Sequence, residues 1–409
     1  MTPIDQPLRT PNDWSPIGDW CLDPNGVFLN HGSFGAMPRS VKEYQDALRA
    51  RFVKAPAAFF DSVLDTELDA ARAALGEFVG ASPSALAFVS NATSGVNAVL
   101  RSLTFEPGDE VVVTNHGYAA CRNALTFVAN RWGARVVVAE IPFPIDTPGQ
   151  VMDAVLGVVS SRTRLALLDH ITSPTGLVLP VHALVAALEE RGVDSLVDGA
   201  HAPGQLALDL DALGAAYYTG NCHKWLCAPQ GAAFLYVRPD RQAQVHPVSI
   251  GHGYGKHRVG RSKFWESFDW PGTDDPTPWL TVPKCIEVLG QSMDSGWDGV
   301  LARNRRLVLA ARERLTERYG TPILAGDALV GSMACVETDL IDSHQRTWHG
   351  DTGPIHEWLW ATHRIDAVTV PWASRERVVL RLSAFLYNDL EQYDRLADAL
   401  AEYRVLTER

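Results

Sequence analysis

The sequence lacks basic clusters, long apolar runs and an apolar leader. Its 36 basic and 48 acidic residues give a formal net charge of -12 at pH 7, whereas nucleic acids and anionic membranes are bound by basic surfaces. No apolar run reaches the roughly 18 residues of a membrane-spanning helix, and MTPIDQPLRTPNDW has no signal-peptide core. We therefore expect a cytoplasmic protein that binds small molecules and neither nucleic acid nor membrane.

Metal-binding and disulfide patterns are also missing. The six cysteines form no CxxC pair, which argues against a zinc ribbon or a disulfide framework and favours reduced thiols. His246, His252 and His257 lack helical i, i+4 spacing and neighbouring carboxylates, so we expect no metal site.

The middle of the chain alternates short apolar runs with amphipathic helical stretches from about residue 85. Runs such as DEVVVTN, ARVVVAEIP and RTRLALLDH are apolar on both faces, which is typical of a mainly parallel sheet covered on both sides. GAAFLYVRP follows the preceding run too closely for a crossover helix, so it is predicted to be an antiparallel strand. The pattern predicts an α/β large domain over residues 81–285.

The pattern changes after the Pro- and Gly-rich FDWPGTDDPTPW. A long helical stretch, WDGVLARNRRLVLAARERLTERYG, precedes the strand-like segments GSMACVETDL and RERVVLRLSAF. Strands and helices that are segregated in this way predict a smaller α+β domain over residues 286–409. Residues 1–80 are predicted to form an N-terminal segment that packs on the large domain and the active site.

Polar segments follow five of the predicted strands. Because ligands of open parallel sheets bind at the carboxyl ends of the strands, these segments are the predicted site. They are SNATSG (90–95), NHGYAA (115–120), DHITSPTG (169–176), DGAHAPG (198–204) and TGNCHKW (219–225).

Three features of these segments suit one cofactor. Thr93 and Ser94 open a helix, where backbone N–H groups attract anions, although a plain helix cap is the alternative. Asp198 needs a cation or donor at the end of its apolar strand, and a salt bridge or cap would also serve. Lys224 in apolar surroundings favours a nucleophilic neutral amine, unless it is solvated. Together they suit pyridoxal phosphate (PLP).

The segment LVDGAHAPGQLALDLDALGAAYYTGNCHKWL resembles the cofactor-lysine segment of fold-type I, class V aminotransferase-like PLP enzymes. Within that class it is most similar to the isopenicillin N epimerases. Further matching segments are FLNHGSFGAMPRSV, NATSGVNAVL, TSPTGLVLP, GTDDPTPWLTVP and RLSAFLYN. The resemblance implies a PLP-binding large domain with a mainly parallel seven-stranded sheet, a smaller C-terminal α+β domain and pyridoxal 5'-phosphate as the cofactor.

The resemblance also implies roles for residues around the cofactor ring. Lys224 would form the Schiff base, Asp198 would hold the pyridine nitrogen, and His201 would lie near the ring hydroxyl. Tyr118 would stack on the ring, with His116 as a less favoured occupant of that position. The remaining implied cofactor contacts are Ser173 at a ring substituent and Ala92, Thr93, Ser94, Asn221 and His223 at the phosphate.

Thr273 of GTDDP matches a position that reaches the phosphate of a neighbouring subunit in the same class. The resemblance therefore implies a homodimer with shared active sites.

Arg381 lies inside an otherwise apolar strand and must find an anion. A guanidinium group matches a carboxylate through two parallel hydrogen bonds, and the resemblance implies that it holds the α-carboxylate of an amino acid, with Asn30 and His31 as further substrate contacts. A structural salt bridge is the alternative.

The reaction stays open at this point. The resemblance implies abstraction of the α-proton from an external aldimine, from which epimerisation, elimination and transamination all begin. The sequence has no cysteine between Ile355 and Arg381, which disfavours the persulfide chemistry of cysteine desulfurases.

We favour an epimerase or racemase, which needs two acid/base groups. Lys224 is one candidate, and Tyr118, His116 or His31 is the other. A C–S lyase similar to hercynylcysteine sulfoxide lyase and an aminotransferase are the alternatives. A non-catalytic PLP-binding regulator is disfavoured, since the N-terminus lacks a basic helix-turn-helix.

Overall fold

The computed structural model describes residues 19–255, 258–341, 353–370, 372 and 377–407. Within them the strands are β1 (Val27–Phe28), β2 (Leu86–Val89), β3 (Glu110–Thr114), β4 (Arg135–Ala139), β5 (Thr163–Asp169), β6 (Asp194–Asp198), β7 (Tyr217–Asn221), β8 (Ala233–Val237), β9 (Met333–Ile341), β10 (Ile365–Asp366), β11 (Val368–Val370) and β12 (Arg377–Ser383).

The α-helices in these residues are α1 (His31–Phe34), α2 (Arg39–Lys54), α3 (Pro56–Ala58), α4 (Leu64–Val79), α5 (Ala92–Ser102), α6 (Ala119–Trp132), α7 (Pro148–Leu156), α8 (Val181–Glu189), α9 (Leu210–Leu213), α10 (Lys263–Phe268), α11 (Thr277–Leu280), α12 (Val282–Gly290), α13 (Gly296–Tyr319), α14 (Pro354–Trp358) and α15 (Leu390–Thr407). Segments Phe59–Val63 and Leu359–His363 are π-helical, and short 3-10 turns span Pro83–Ala85, Pro239–Gln244, His252–Gly255 and Asp327–Leu329.

The large sheet has seven strands in the order β2-β8-β7-β6-β5-β3-β4. Strands β3 to β7 pair in parallel, whereas β8 is antiparallel to both of its neighbours, β7 and β2. This topology confirms the predicted α/β fold and the antiparallel strand in GAAFLYVRP. The close succession of β7 and β8 leaves no room for the crossover helix that a parallel strand would need.

Both faces of the large sheet are buried, which explains why its strands are apolar throughout. Val111 and Val113 belong to one hydrophobic cluster, whereas Val112 between them belongs to the cluster on the opposite face. Successive strand residues point to opposite faces, so each layer of helices covers one set. The carboxyl ends of the parallel strands remain free of this packing and carry polar residues.

A second, three-stranded antiparallel sheet lies in the C-terminal part, in the order β11-β12-β9, and α13 packs against β9 and β12. The N-terminal segment joins this part as well as the large sheet, because β1 pairs in parallel with β10 and α4 contacts β2. The domain bounds stay a prediction, and residue 285 lies within α12. No helix in the described ranges is long and apolar enough to cross a membrane.

Candidate active site

A cavity of about 480 Å³ lies at the carboxyl ends of β5, β6 and β7 and at the start of α5. It brings together the predicted residues Ala92, Thr93, Ser94, Tyr118, Ser173, Asp198, His201, Asn221, His223 and Lys224. It is also lined by residues that the sequence did not single out, namely Ser33, Phe34, Asn91, Asp169, Ile171 and Ala200. The predicted residues Asn30, His31, His116, Thr273 and Arg381 lie outside its lining.

Lys224 lies in the turn between β7 and β8 and opens onto the cavity. Its Nζ lies 3.1 Å from Nε2 of His201. Burial and the positive charge of Arg381 lower the pKa of Lys224 to about 8, because a low-dielectric site disfavours the ammonium. A substantial fraction of this side chain is therefore a neutral, nucleophilic amine in mildly alkaline solution.

The N-terminal segment packs directly on the backbone of Lys224. Gly35 has a φ of 73°, and a Cβ at this position would lie 2.4 Å from the carbonyl oxygen of His223 and 2.7 Å from that of Lys224. Only glycine accepts both the positive φ and this close approach. The glycine of HGSFG therefore lets the chain before α2 support the lysine turn.

Asp198 ends β6 and is buried. Its carboxylate accepts hydrogen bonds from Sγ of Cys121 at 3.1 Å and from the amide of Ala200 at 3.0 Å. No lysine or arginine in the described ranges forms an ion pair with it, which leaves the salt-bridge alternative without a partner there. A cationic ligand such as a protonated pyridine would suit this carboxylate.

Asp169 is a second acid in the cavity, and the sequence reasoning missed it. It ends β5 directly beside Asp198 in the register of the two strands, and its Oδ1 accepts a hydrogen bond from the amide of Tyr118 at 3.3 Å. Burial and the negative charge of Asp198 raise the pKa of Asp169 well above its usual value. The signal was available, since Asp169 also follows an apolar run at a predicted strand end.

The start of α5 lines one side of the cavity. Asn91 is its cap, because its Oδ1 accepts the amide of Ser94 at 2.8 Å. The amide of Ala92 donates to Oδ1 of Asn221, also at 2.8 Å. Ser94 is thus not the cap itself, and its hydroxyl lines the cavity together with Thr93.

His223 borders the same end of the cavity. Its Nδ1 donates to the carbonyl oxygen of Ala232 at 2.8 Å, which fixes the ring and leaves Nε2 as its other polar atom. Burial and the nearby charge of Lys224 lower the pKa of His223 to about 4.

Arg381 lies beside the cavity in β12 and is 3% exposed. Its guanidinium donates to the carbonyl oxygen of Ser173 at 2.6 Å, to Oγ of Ser33 at 2.7 Å and to Oδ1 of Asn30 at 3.2 Å. Its Nε is buried without a partner in the described part of the chain, and no acidic residue there forms an ion pair with it. Burial lowers the pKa of Arg381 to about 10.

His31 and His116 are engaged outside the cavity. Nε2 of His31 donates to the carbonyl oxygen of Lys224 at 3.1 Å, and its Nδ1 lies 2.7 Å from the hydroxyl of Tyr387. His116 lies between Thr175 Oγ1 at 2.7 Å and the carbonyl oxygen of Ile141 at 3.3 Å. Burial lowers the pKa of His31 to about 3 and that of His116 to about 4.

Of the three candidates for a second acid/base group, these contacts leave Tyr118 as the one that lines the cavity. Burial raises the pKa of the Tyr118 phenol, so its proton is retained at neutral pH.

Thr273 lies apart from this cavity. It lines a second cavity of about 250 Å³, which shares Ser94 with the first. Its predicted role toward a neighbouring subunit stays a prediction. In the described ranges no group of three His, Cys, Asp or Glu side chains could hold a metal ion.

Comparison with known proteins identifies the family of this chain. The family model "Aminotransferase class-V" matches residues 49–396. Isopenicillin N epimerase of Streptomyces clavuligerus is 33% identical over 401 residues, which cover 95% of this chain and 98% of the relative. An L-cysteine desulfhydrase of Arabidopsis thaliana is 28% identical over 402 residues, with coverages of 91% and 87%.

A solved structure of similar fold is a C-DES mutant with glycine covalently linked to its PLP cofactor. It has a TM-score of 0.74 and 21% identity, and covers 92% of this chain and 96% of its own. The half-buried Lys224, the Asp198 carboxylate without an ion pair among the described residues and the capped start of α5 fit the same cofactor. The chain belongs to the class V aminotransferase family, and its cofactor is pyridoxal 5'-phosphate.

Proposed function

We propose that this protein removes the α-proton of an amino acid or an amino-acid-derived substrate and returns it on the opposite face, as an epimerase or racemase. The observation that carries the substrate class is Arg381. Its buried guanidinium contacts only neutral groups, and its Nε is left without a partner in the described residues. Since a buried cation is costly without an anion, a substrate carboxylate is the missing partner.

The residues that would hold the cofactor are those that line the cavity. Lys224 would bind it covalently, Asp198 would face its pyridine nitrogen with His201 near the ring hydroxyl, and the start of α5 with Asn221 and His223 would receive its phosphate. When bound, the cofactor makes the α-proton of an attached amino acid acidic by withdrawing electrons into its ring.

Proton transfer is assigned to two groups in the same cavity. Lys224, with a pKa of about 8, can accept a proton near neutral pH. Tyr118 lines another part of the wall and retains its phenol proton. Inversion needs a proton to leave one face and return on the other, so Tyr118 is the proposed second acid/base group.

Elimination at a C–S bond is the second candidate. It is favoured by the relative named L-cysteine desulfhydrase, which aligns over 91% of this chain. Such an elimination needs the same α-proton abstraction by Lys224 and no group that returns the proton on the other face. No cysteine lines the cavity in the described residues, so a persulfide route is disfavoured.

Proton NMR of the cofactor-loaded protein in D₂O separates these candidates. The panel of substrates contains isopenicillin N, cysteine and cysteine sulfoxide conjugates. An epimerase places deuterium at the α-carbon while both stereoisomers accumulate. A lyase instead produces pyruvate and ammonia as a thiol or sulfenate departs, which would overturn the epimerase proposal.

We further propose that two copies form a homodimer with shared sites through Thr273. The proposal is supported by the position of Thr273 in the second cavity, beside Ser94 of the phosphate-binding end. Lys224→Ala and Thr273→Ala should regain part of the lost activity when they are mixed and exchanged, because one hybrid site then takes Lys224 from one subunit and Thr273 from the other. A monomer by light scattering would contradict the proposal.

A further inference from the structure

Trp225, the residue after Lys224, has no role in the proposed reaction, yet it forms a hydrogen bond with His201, which lines the cavity. Its side chain is 0% exposed and lies outside the cavity lining. The indole Nε1 donates to Nδ1 of His201 at 3.4 Å. On the other side of the same imidazole, Nε2 lies 3.1 Å from Nζ of Lys224.

The donor chemistry of Trp225 determines where His201 carries its proton. An indole N–H donates and cannot accept, so Nδ1 of His201 must be the acceptor. A neutral imidazole has one N–H group, which therefore sits on Nε2. Nε2–H faces Lys224, where it finds an acceptor only if the lysine is a neutral amine with its lone pair available.

We propose that Trp225 is a positioning residue that selects the Nε2–H tautomer of His201 and thereby favours the neutral, nucleophilic form of Lys224. The inference rests on the proposed function, in which Lys224 binds the cofactor. With an ammonium at Lys224, two donors would face each other across 3.1 Å. If His201 instead carried its proton on Nδ1, its Nε2 could accept from the ammonium, but its Nδ1–H would then face the indole N–H of Trp225. An ammonium at Lys224 therefore leaves two donors facing each other in either tautomer of His201.

Other charges act on the same two side chains. Arg381, Asp198 and Cys121 influence Lys224, and Lys224, Arg381 and His31 influence His201, whose pKa lies well below its usual value, chiefly because of burial. A neutral His201 is required for the tautomer to matter, and this environment supplies it. The charges of these groups do not select between the Nδ1–H and Nε2–H tautomers of His201, whereas the hydrogen bond from the indole of Trp225 does.

The indole is held in place by its neighbours. Its ring lies 4.7 Å from that of His31 and 5.9 Å from that of Phe385, measured between centroids. Its backbone is covered by Gly204, where a Cβ would lie 2.4 Å from the carbonyl oxygen of Trp225. Trp225 therefore cannot turn its N–H away from His201 without displacing this cluster.

Replacement of Trp225 by phenylalanine removes the donor and keeps an aromatic ring. A matched control is Trp20→Phe. Trp20 is buried in the same aromatic cluster, 5.5 Å from Phe385 and 5.0 Å from Tyr387 between centroids. Its Nε1 has no hydrogen-bond partner in the described residues, so the control makes the same change in size without loss of a hydrogen bond.

Two measurements on the cofactor-free protein test the proposal. ¹⁵N-histidine NMR at pH 9 reports which nitrogen of His201 carries the proton, with His201→Gln used for assignment. The pH dependence of the rate at which added pyridoxal 5'-phosphate gains its lysine-bound absorbance reports the pKa of Lys224. Neither measurement depends on turnover.

We expect Nε2–H in the wild type and in Trp20→Phe. Trp225→Phe should populate the Nδ1–H tautomer and raise the pKa of Lys224 by about one unit, since one hydrogen bond is worth about 1 kcal/mol. The rate at pH 7 should fall about tenfold. The proposal is overturned if wild-type His201 carries its proton on Nδ1, or if Trp225→Phe and Trp20→Phe behave alike.

The proposed function fails in a different way. If Lys224 does not bind the cofactor, Lys224→Ala will gain the same absorbance as the wild type. Because the tautomer of His201 is read directly from the cofactor-free protein, the two failures are distinguishable.

Discussion

Two buried charged side chains of the proposed site, Arg381 and Asp198, have no oppositely charged partner among the described residues. Among the described residues, Arg381 contacts only neutral groups, and Asp198 accepts only a thiol and an amide. An unpaired buried charge costs free energy, so it is usually found where a bound ligand supplies the opposite charge. We therefore expect the substrate carboxylate at Arg381 and the cofactor ring at Asp198.

Arg381→Ala should weaken substrate use without weakening the fold. Loss of one partner of a buried, hydrogen-bonded charge pair costs about 2 to 5 kcal/mol, so we expect kcat/KM to fall by tens to thousands of fold. The substitution removes three hydrogen bonds to neutral groups, but it also removes the desolvation cost of a buried cation, so the melting temperature of the cofactor-free protein should change little. Arg381→Lys keeps the positive charge but loses the two parallel hydrogen bonds that a guanidinium makes to a carboxylate. It should therefore be more active than Arg381→Ala and less active than the wild type. Unchanged kinetics, or a large fall in melting temperature, would contradict the assignment.

Burial of Lys224 predicts a pH-dependent stability of the cofactor-free protein. The folded pKa of about 8 lies below the usual 10.5, so the unfolded state binds more protons between these two pH values. Stability should therefore rise with pH from 8 to 10.5, and the full cost of about 3 kcal/mol should be present below pH 8.

Urea unfolding of Lys224→Met tests this linkage. The variant should be more stable than the wild type at pH 7, and the difference should vanish near pH 10.5. The control is Lys54→Met at an exposed position of α2, which should show no such trend. A constant difference between Lys224→Met and the wild type at every pH would refute the linkage.

Among the helices and strands, the carboxyl ends of β5, β6 and β7 and the start of α5 form the site. The N-terminal segment packs against the turn that carries Lys224. The strand ends were predictable, because apolar runs followed by polar residues have a direct sequence signature. The pairing of β1 with β10 was not, since two strands of two residues each carry no periodicity. His31 and His116 looked like acid/base groups in sequence, but their ring nitrogens are engaged by neighbours that only the fold reveals.

Gly35→Ala should loosen the contact between the N-terminal segment and the lysine turn. The added Cβ would meet the carbonyl oxygen of His223 at 2.4 Å in a backbone with positive φ, so we expect a loss of about 1 to 3 kcal/mol of unfolding free energy and weaker cofactor binding.

Gly192→Ala is the matched control, because its φ is 69° and nothing lies within 4 Å of the added Cβ. It measures the cost of the positive φ alone. Equal effects of the two substitutions on cofactor affinity would show that the close approach to Lys224 does not matter.

At the scale of the whole molecule, the fold class followed from the chain because buried parallel strands and amphipathic helices alternate over residues 85–237. The seven-stranded sheet and the family match over residues 49–396 confirm that prediction. The reaction did not follow, since the roles proposed for Lys224, Asp198 and Arg381 are the same in every reaction that begins with loss of an α-proton. The position of Asp169 after an apolar run was visible in the sequence, but its proximity to Asp198 depends on which strands are neighbours.

Tyr118→Phe distinguishes epimerisation from C–S elimination, because only inversion needs an acid/base group on each side of the bound substrate. If the protein is an epimerase, the variant should still exchange the α-proton with D₂O while losing at least about tenfold in inversion. If it is a lyase, pyruvate formation should persist. The readout is proton NMR with optical resolution of the stereoisomers, and retention of full inversion would remove Tyr118 from the mechanism.

Every proposal above requires that Lys224 binds the cofactor. The most direct measurement is borohydride reduction of the protein loaded with pyridoxal 5'-phosphate, followed by peptide mass spectrometry. We expect a stable pyridoxyl adduct on the peptide that contains Lys224 and none on the same peptide of Lys224→Ala. An adduct confined to another lysine, or none at all, would contradict it.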